Sequence, residues 1–214
     1  MKYIVKEASP ASLEAYKVLE GACYNDMPQN VKEDVRQSLV SEQGGICCYC
    51  GKRILPDYHS VIEHLYPKGL KQYSHLQLEY SNLLCSCDGG ESNRTGKTKS
   101  EKRKFPSFCD DKKNNRVLNL TPLDPTCEEQ FSYDEEGHIY GKTDAAQEAI
   151  DILGLDCSPL VDLRRAAINP YLELDLDNEG WNAEIEDLSQ RHNDNFRSFC
   201  FVVIYYIRNF KMAV

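Results

Sequence analysis

The sequence predicts an α+β chain in which a small cysteine-stapled unit of two strands and a helix is flanked by N-terminal helices and a mainly helical C-terminal lobe. Three observations predict it. Cysteines cluster between Cys47 and Cys109, apolar residues recur at helical spacing before and after that stretch, and a short β-branched run falls inside it. At 214 residues the chain can hold one good core and an appended module. The expected divisions are a helical segment over 1–43, a core unit with a basic loop over 44–118, and an acidic lobe over 119–214, a short hairpin followed by helices.

Taken in order, Ser9 to Cys23 reads as a helix, and Gln29 to Glu42 as a second with Val31, Val35, Leu39 and Val40 on one face, stopped by Gly44 and Gly45. ICCYCGKRI is a knuckle, and HSVIEHLYP, ended by Pro67, suggests a hairpin strand. Tyr80 to Leu84 begins a further segment, a Gly/Ser/Lys/Asn-rich loop follows, and Cys109 to Asn115 starts a short helix. Beyond Asn119 come turns and a hairpin, then helices over Thr143 to Leu153, Pro159 to Ile168 and Asp187 to Phe210. The aromatic-rich end FRSFCFVVIYYIRNF reads as a core helix, apolar nearly all round and so leaving room for a partner.

The start MKYIVKEASP has no apolar h-region, and no run is long enough for a bilayer, so a cytoplasmic, reducing location is expected. There, cysteines at knuckle spacing are better read as metal ligands than as disulfides. Cys47 and Cys50, followed by Gly51, form such a knuckle. A closed tetrahedral zinc site needs two more thiolates, and Cys85, Cys87 and Cys109 are the candidate suppliers. Cys48 and the unselected thiol of that set read as packing residues, and Cys23, Cys127, Cys157 and Cys200 as small buried hydrophobes.

The net charge of −9 hides a division along the chain. Residues 1–116 carry 18 Lys/Arg against 15 Asp/Glu, whereas residues 117–214 carry 7 against 19. The basic excess concentrates in Glu91 to Arg116, with nine Lys/Arg and four acids. Alone this is a solvated loop; beside a phosphodiesterase site it would neutralise backbone phosphates.

Between the cysteines lie Glu63-His64 with Pro67, then Asn82-Leu83, Cys87 five residues after Asn82, and Cys109-Asp110 with Lys113 three further on. This order resembles the HNH, or ββα-metal, nucleases. It departs in one large respect: twenty-one residues separate Cys87 from Cys109, where the family has two. Closure entropy grows only logarithmically with loop length, so the excursion is tolerable. Over much of residues 40–170, including NLTPLDPTCEEQFSYDEEGHIYG, the chain further resembles the HNH subunit of Septu-type antiphage systems (PtuB), also found beside some retrons.

The resemblance implies a structural zinc at Cys47, Cys50, Cys87 and Cys109. It makes His64 the general base that activates water, its pKa lying near working pH. Glu63 and Asp110 would hold one Mg²⁺, with Mn²⁺ a substitute. Asn82 would orient the His64 segment and Lys113 would touch phosphate. Glu63 stands where Asp is commoner and Asp110 where His or Asn is, but both remain oxygen ligands. Lys97, Lys99, Lys102, Arg103 and Lys104 would bind nucleic acid, DNA first and RNA, tRNA included, second. The implied partners are a PtuA-type ATPase and a retron reverse transcriptase with its RNA/DNA. The competing reading is a catalytically inactive zinc-knuckle module that only holds nucleic acid or a partner. Glu63, His64, Asn82 and Asp110 together oppose it, since a binding module needs none of them. His59, His75, His138 and His192 have no such company and read as surface or hydrogen-bonded residues.

Overall fold

The apolar face of Val31, Val35, Leu39 and Val40 forms helix α2 (Gln29–Glu42), which packs on the strand pair that carries the site. The structure is a computed structural model that describes residues 1–102 and 104–212. Helix α1 (Ala11–Lys17) stops well short of Cys23, the expected end. Tyr16 is the cause: its hydroxyl donates to Cys23 O at 2.9 Å, so the chain folds back over the helix end.

Strand β1 (Ser60–His64) pairs antiparallel with β2 (Leu83–Cys87), with Glu63 opposite Leu84 and His64 opposite Leu83. The connection is 3-10 turns rather than a tight hairpin. After α3 (Lys99–Lys102), helix α4 (Cys109–Lys113) packs against β2. Gly89 makes the return possible. It adopts φ +59°, and a Cβ there would meet Phe108 O at 2.3 Å and Asp111 Cβ at 2.6 Å; only glycine allows this approach. Phe108 N then donates to Gly89 O at 3.2 Å, closing the long excursion next to Cys87.

The second sheet, β3 (Phe131–Tyr133) with β4 (Ile139–Gly141), leads into α5 (Asp144–Leu153), capped by the Thr143 hydroxyl. Helix α6 (Ser158–Leu172) runs past Ile168 and carries Pro170 in its last turn; the missing N–H there leaves Ala166 O without its helical partner, and the helix ends two residues on. The expected single helix from Asp187 to Phe210 is instead α7 (Asn178–Ser189) and α8 (Cys200–Tyr206), the latter running on as a π-turn over Ile207–Lys211. Asn193, Asp194 and Phe199 take positive φ and break it. Helix α8 is buried by this chain's own α6, α7 and β3, which takes the place of the partner its composition suggested.

One hydrophobic core draws residues from 1–43, 44–118 and 119–214 alike. Ile4 N donates to Pro122 O at 2.8 Å, and Phe199 N to Gly51 O at 3.0 Å, so the C-terminal lobe braces both the N-terminus and the knuckle. Among the described residues, no helix is long and apolar enough to cross a membrane.

Candidate active site and metal centre

Cys47 and Cys50 sit on the knuckle, Cys87 at the end of β2 and Cys109 at the start of α4, and their four sulfurs lie within 4.8 Å of one another, all buried. The Cys47–Cys109 and Cys50–Cys87 separations are 3.8 and 3.9 Å. A tetrahedral Zn²⁺ with bonds of about 2.3 Å needs sulfurs about 3.8 Å apart, so the donor set fits zinc. Although burial opposes ionisation, hydrogen bonds from Cys109 and neighbouring thiols hold the Cys47 thiol well below its ordinary value. Cys85 lies outside the cluster and burial pushes its thiol up to about 12, which suits a packing residue. Cys48 is likewise buried and raised. Cys127 and Cys200 are buried as expected, but Cys23 and Cys157 are only half-buried, and the Cys23 thiol donates to Asp26 at 3.1 Å.

Beside this centre a cleft of about 470 Å³ is lined by Glu63, His64, Asp110, Tyr24 and Lys68 among others. Strand β1 supplies Glu63 and His64, and α4 supplies Asp110. The His64 ring nitrogen Nε2 lies 3.1 Å from Gln77 O. A carbonyl only accepts, so this nitrogen carries the proton and Nδ1 keeps the lone pair. The ring is also held edge-on by Tyr24, with centroids 4.5 Å apart. Burial, helped by the charges of Lys68 and Lys113 and opposed by the Gln77 bond, lowers the imidazole pKa to about 4. It is therefore neutral at neutral pH, with a lone pair at Nδ1.

Glu63 is buried and its Oε1 accepts from the Tyr49 hydroxyl at 2.8 Å. Lys113, expected at the phosphate, is instead fully buried: it pairs with Glu63 Oε1 at 2.6 Å and donates to His64 O at 2.9 Å. Its ammonium is spent inside the protein, positioning the Glu63-His64 pair. Asp110 lies against Glu63, and burial together with the Glu63 hydrogen bond and charge raises its carboxyl to about 8. Two carboxylates forced together in this way share a proton until a cation replaces it, so the pair fits a hard divalent ion.

Asn82 accepts from Tyr66 N at 2.8 Å and donates to Tyr66 O and Leu76 O, fixing the chain two residues past His64. A second groove, of about 580 Å³, shares Asp111 with the cleft and carries Arg94, Lys99, Lys102 and Phe105. Lys97 lies over the Phe105 ring at 4.9 Å, and Lys104 is exposed. Arg103 lies outside the described residues. His59, His75 and His192 are exposed and His138 pairs with Asp156, and none of the four lines the cleft of Glu63, His64 and Asp110. A further cavity of about 270 Å³ behind the knuckle contains none of Glu63, His64 and Asp110.

Sequence spacing missed Tyr49, Tyr24 and Lys68. Tyr49 carried a faint signal, an aromatic between knuckle cysteines. Tyr24 reaches His64 across forty positions of sequence and carried none.

No family model matches the chain. A protein of Vibrio cholerae serotype O1 biovar El Tor, named as the HNH endonuclease of retron Vc95, is 32% identical over 171 residues. The match spans 73% of this chain and 77% of that protein.

Proposed function

Because the chain belongs to the HNH endonuclease family, with a retron-associated relative, we propose that it hydrolyses phosphodiester bonds of nucleic acid using His64, Glu63 and Asp110. The observation that carries this reading is the joint placement of an oriented neutral imidazole and two contacting carboxylates in one open cleft. A divalent ion, Mg²⁺ by preference, would be held by Glu63 and Asp110 and would neutralise charge on the phosphoryl and leaving oxygens. His64 Nδ1 takes the proton of the attacking water. Lys113 and Tyr49 hold Glu63 in place, and Asn82 fixes the loop that follows the base. Cys47, Cys50, Cys87 and Cys109 would hold zinc, which would tie the knuckle, β2 and α4 together and so fix Asp110 relative to Glu63. DNA is the first substrate to test and RNA, tRNA included, the second. A PtuA-type ATPase and a retron reverse transcriptase with its RNA/DNA are the proposed partners in antiphage defence, with the acidic lobe available for docking.

Proton and cation compete at Asp110, and this tests the site. Its carboxyl is raised to about 8, so it carries a proton below that pH and binding must expel it. Half-saturating Mg²⁺ for cleavage should therefore rise as pH falls below about 8, by up to about tenfold per unit for one displaced proton. A requirement that does not change between pH 6.5 and 8.5, a range chosen to bracket that value of about 8, contradicts a cation at Asp110.

The basic groove has its own test. Replacing Lys97, Lys99, Lys102, Arg103 and Lys104 by glutamine should weaken binding and flatten its salt dependence. Each lost phosphate contact removes about 0.9 from the slope on duplex DNA, or about 0.7 on single strands. An unchanged slope would leave the tract as a solvated loop.

A further inference from the structure

With Lys113 sealed inside the protein, the cleft needs another cation to meet the anionic backbone. Three carboxylates line it, those of Glu63, Asp110 and Asp111. Arg94 is committed to Asp111 at 2.5 Å, and Arg116 donates to Lys112 O and Ile152 O, both at 2.7 Å. Lys32 and Lys68 flank the Tyr24 ring at 5.5 and 5.2 Å, but of the two only Lys68 lines the cleft. Lys68 is exposed, and its one described hydrogen bond is to a neutral amide oxygen, Asn25 Oδ1, at 3.3 Å. That bond is weak enough for an anion to replace. The same Tyr24 ring packs edge-on against His64, so Lys68 and His64 share one aromatic neighbour.

We infer that Lys68 is a catalytic residue, the ammonium that contacts a non-bridging oxygen of the scissile phosphate, with Tyr24 positioning both it and His64. This rests on the nuclease reading above. Lys68 also follows Pro67 directly, so its backbone is anchored one residue beyond the turn that Asn82 fixes through Tyr66. A contact made at the reacting phosphate stabilises charge that grows in the transition state. Its loss should therefore appear mainly in turnover, with a smaller effect on binding.

The test compares Lys68→Gln and Lys68→Arg with wild type and His64→Ala. Cleavage is measured in Mg²⁺, and binding of a short fluorescein-labelled DNA duplex is measured in Ca²⁺ across a salt series. Lys68→Gln should lose about a hundredfold in kcat/KM, most of it in kcat, as for loss of one charge-stabilising donor. Its binding slope should fall by about 0.9, and arginine should restore most of both. Lys68→Gln cleaving like wild type while His64→Ala is inactive overturns the role of Lys68 and leaves the nuclease reading standing. Arginine and glutamine variants equally impaired, with matching losses of thermal stability and an unaltered salt slope, would make Lys68 structural and also overturn it. If wild type itself does not cleave, the nuclease reading fails instead, and the salt slope alone decides the phosphate contact: a drop of about 0.9 supports it, and no change overturns it.

Discussion

Replacing His64 by alanine is expected to slow strand cleavage by roughly two to four orders of magnitude while zinc content and secondary structure stay at wild-type levels. The reason lies in how the ring is held. Gln77 O fixes the tautomer, Tyr24 fixes the tilt, and burial keeps the imidazole neutral. Alanine removes the proton acceptor and leaves Glu63, Asp110 and the four cysteines untouched, so cation binding should persist. Measuring zinc and melting temperature beside the rate separates lost chemistry from lost fold. A variant that keeps wild-type rates would remove His64 from the mechanism.

The second large effect concerns the cysteines. Cys87→Ala should release the metal and unfold residues 44–115, because a structural zinc contributes folding free energy directly. Cys87 is the link between the end of β2 and the returning segment that carries Cys109 and Asp110. Without it the long excursion from Gly89 to Phe108 loses its clasp, and Asp110 its place against Glu63. Cys85→Ala should instead cost only the modest stability of a small buried truncation, with about one zinc per chain by elemental analysis and cleavage retained. Cys85 and Cys87 share strand parity, so periodicity alone does not separate them. If Cys85→Ala loses zinc and Cys87→Ala keeps it, the ligand set argued here is wrong.

What was legible in the sequence was whatever local spacing encodes. Helix α2 follows from its apolar repeat. The knuckle follows from its spacing, and the resemblance to HNH nucleases, carried by intervals on either side of a long insertion, pointed to Glu63, His64 and Asp110, which line one cleft. Contacts between segments far apart in sequence were not legible. Lys113 sits at a position where the resemblance implied a phosphate contact, yet one helical turn carries it inward against Glu63. Nothing local signals that a lysine is buried; it depends on the carboxylate waiting there. Tyr24 and Lys68 come from two connecting segments, and only the fold sets them side by side. The break between α7 and α8 was readable in principle, since Asn193-Asp194-Asn195 is a run of residues that tolerate left-handed backbone. The apolar stretch after it masked that signal.

The most direct measurement is nicking of supercoiled plasmid, and in parallel of a structured RNA, by the purified protein in Mg²⁺, in Mn²⁺, and with each replaced by EDTA. Cleavage in both metals that stops on brief chelation, with zinc still bound and the fold intact, is the predicted result. A well-folded, zinc-loaded protein that binds nucleic acid yet leaves both polymers intact in either metal, alone and with the proposed PtuA-type ATPase, would contradict the account in favour of an inactive binding module.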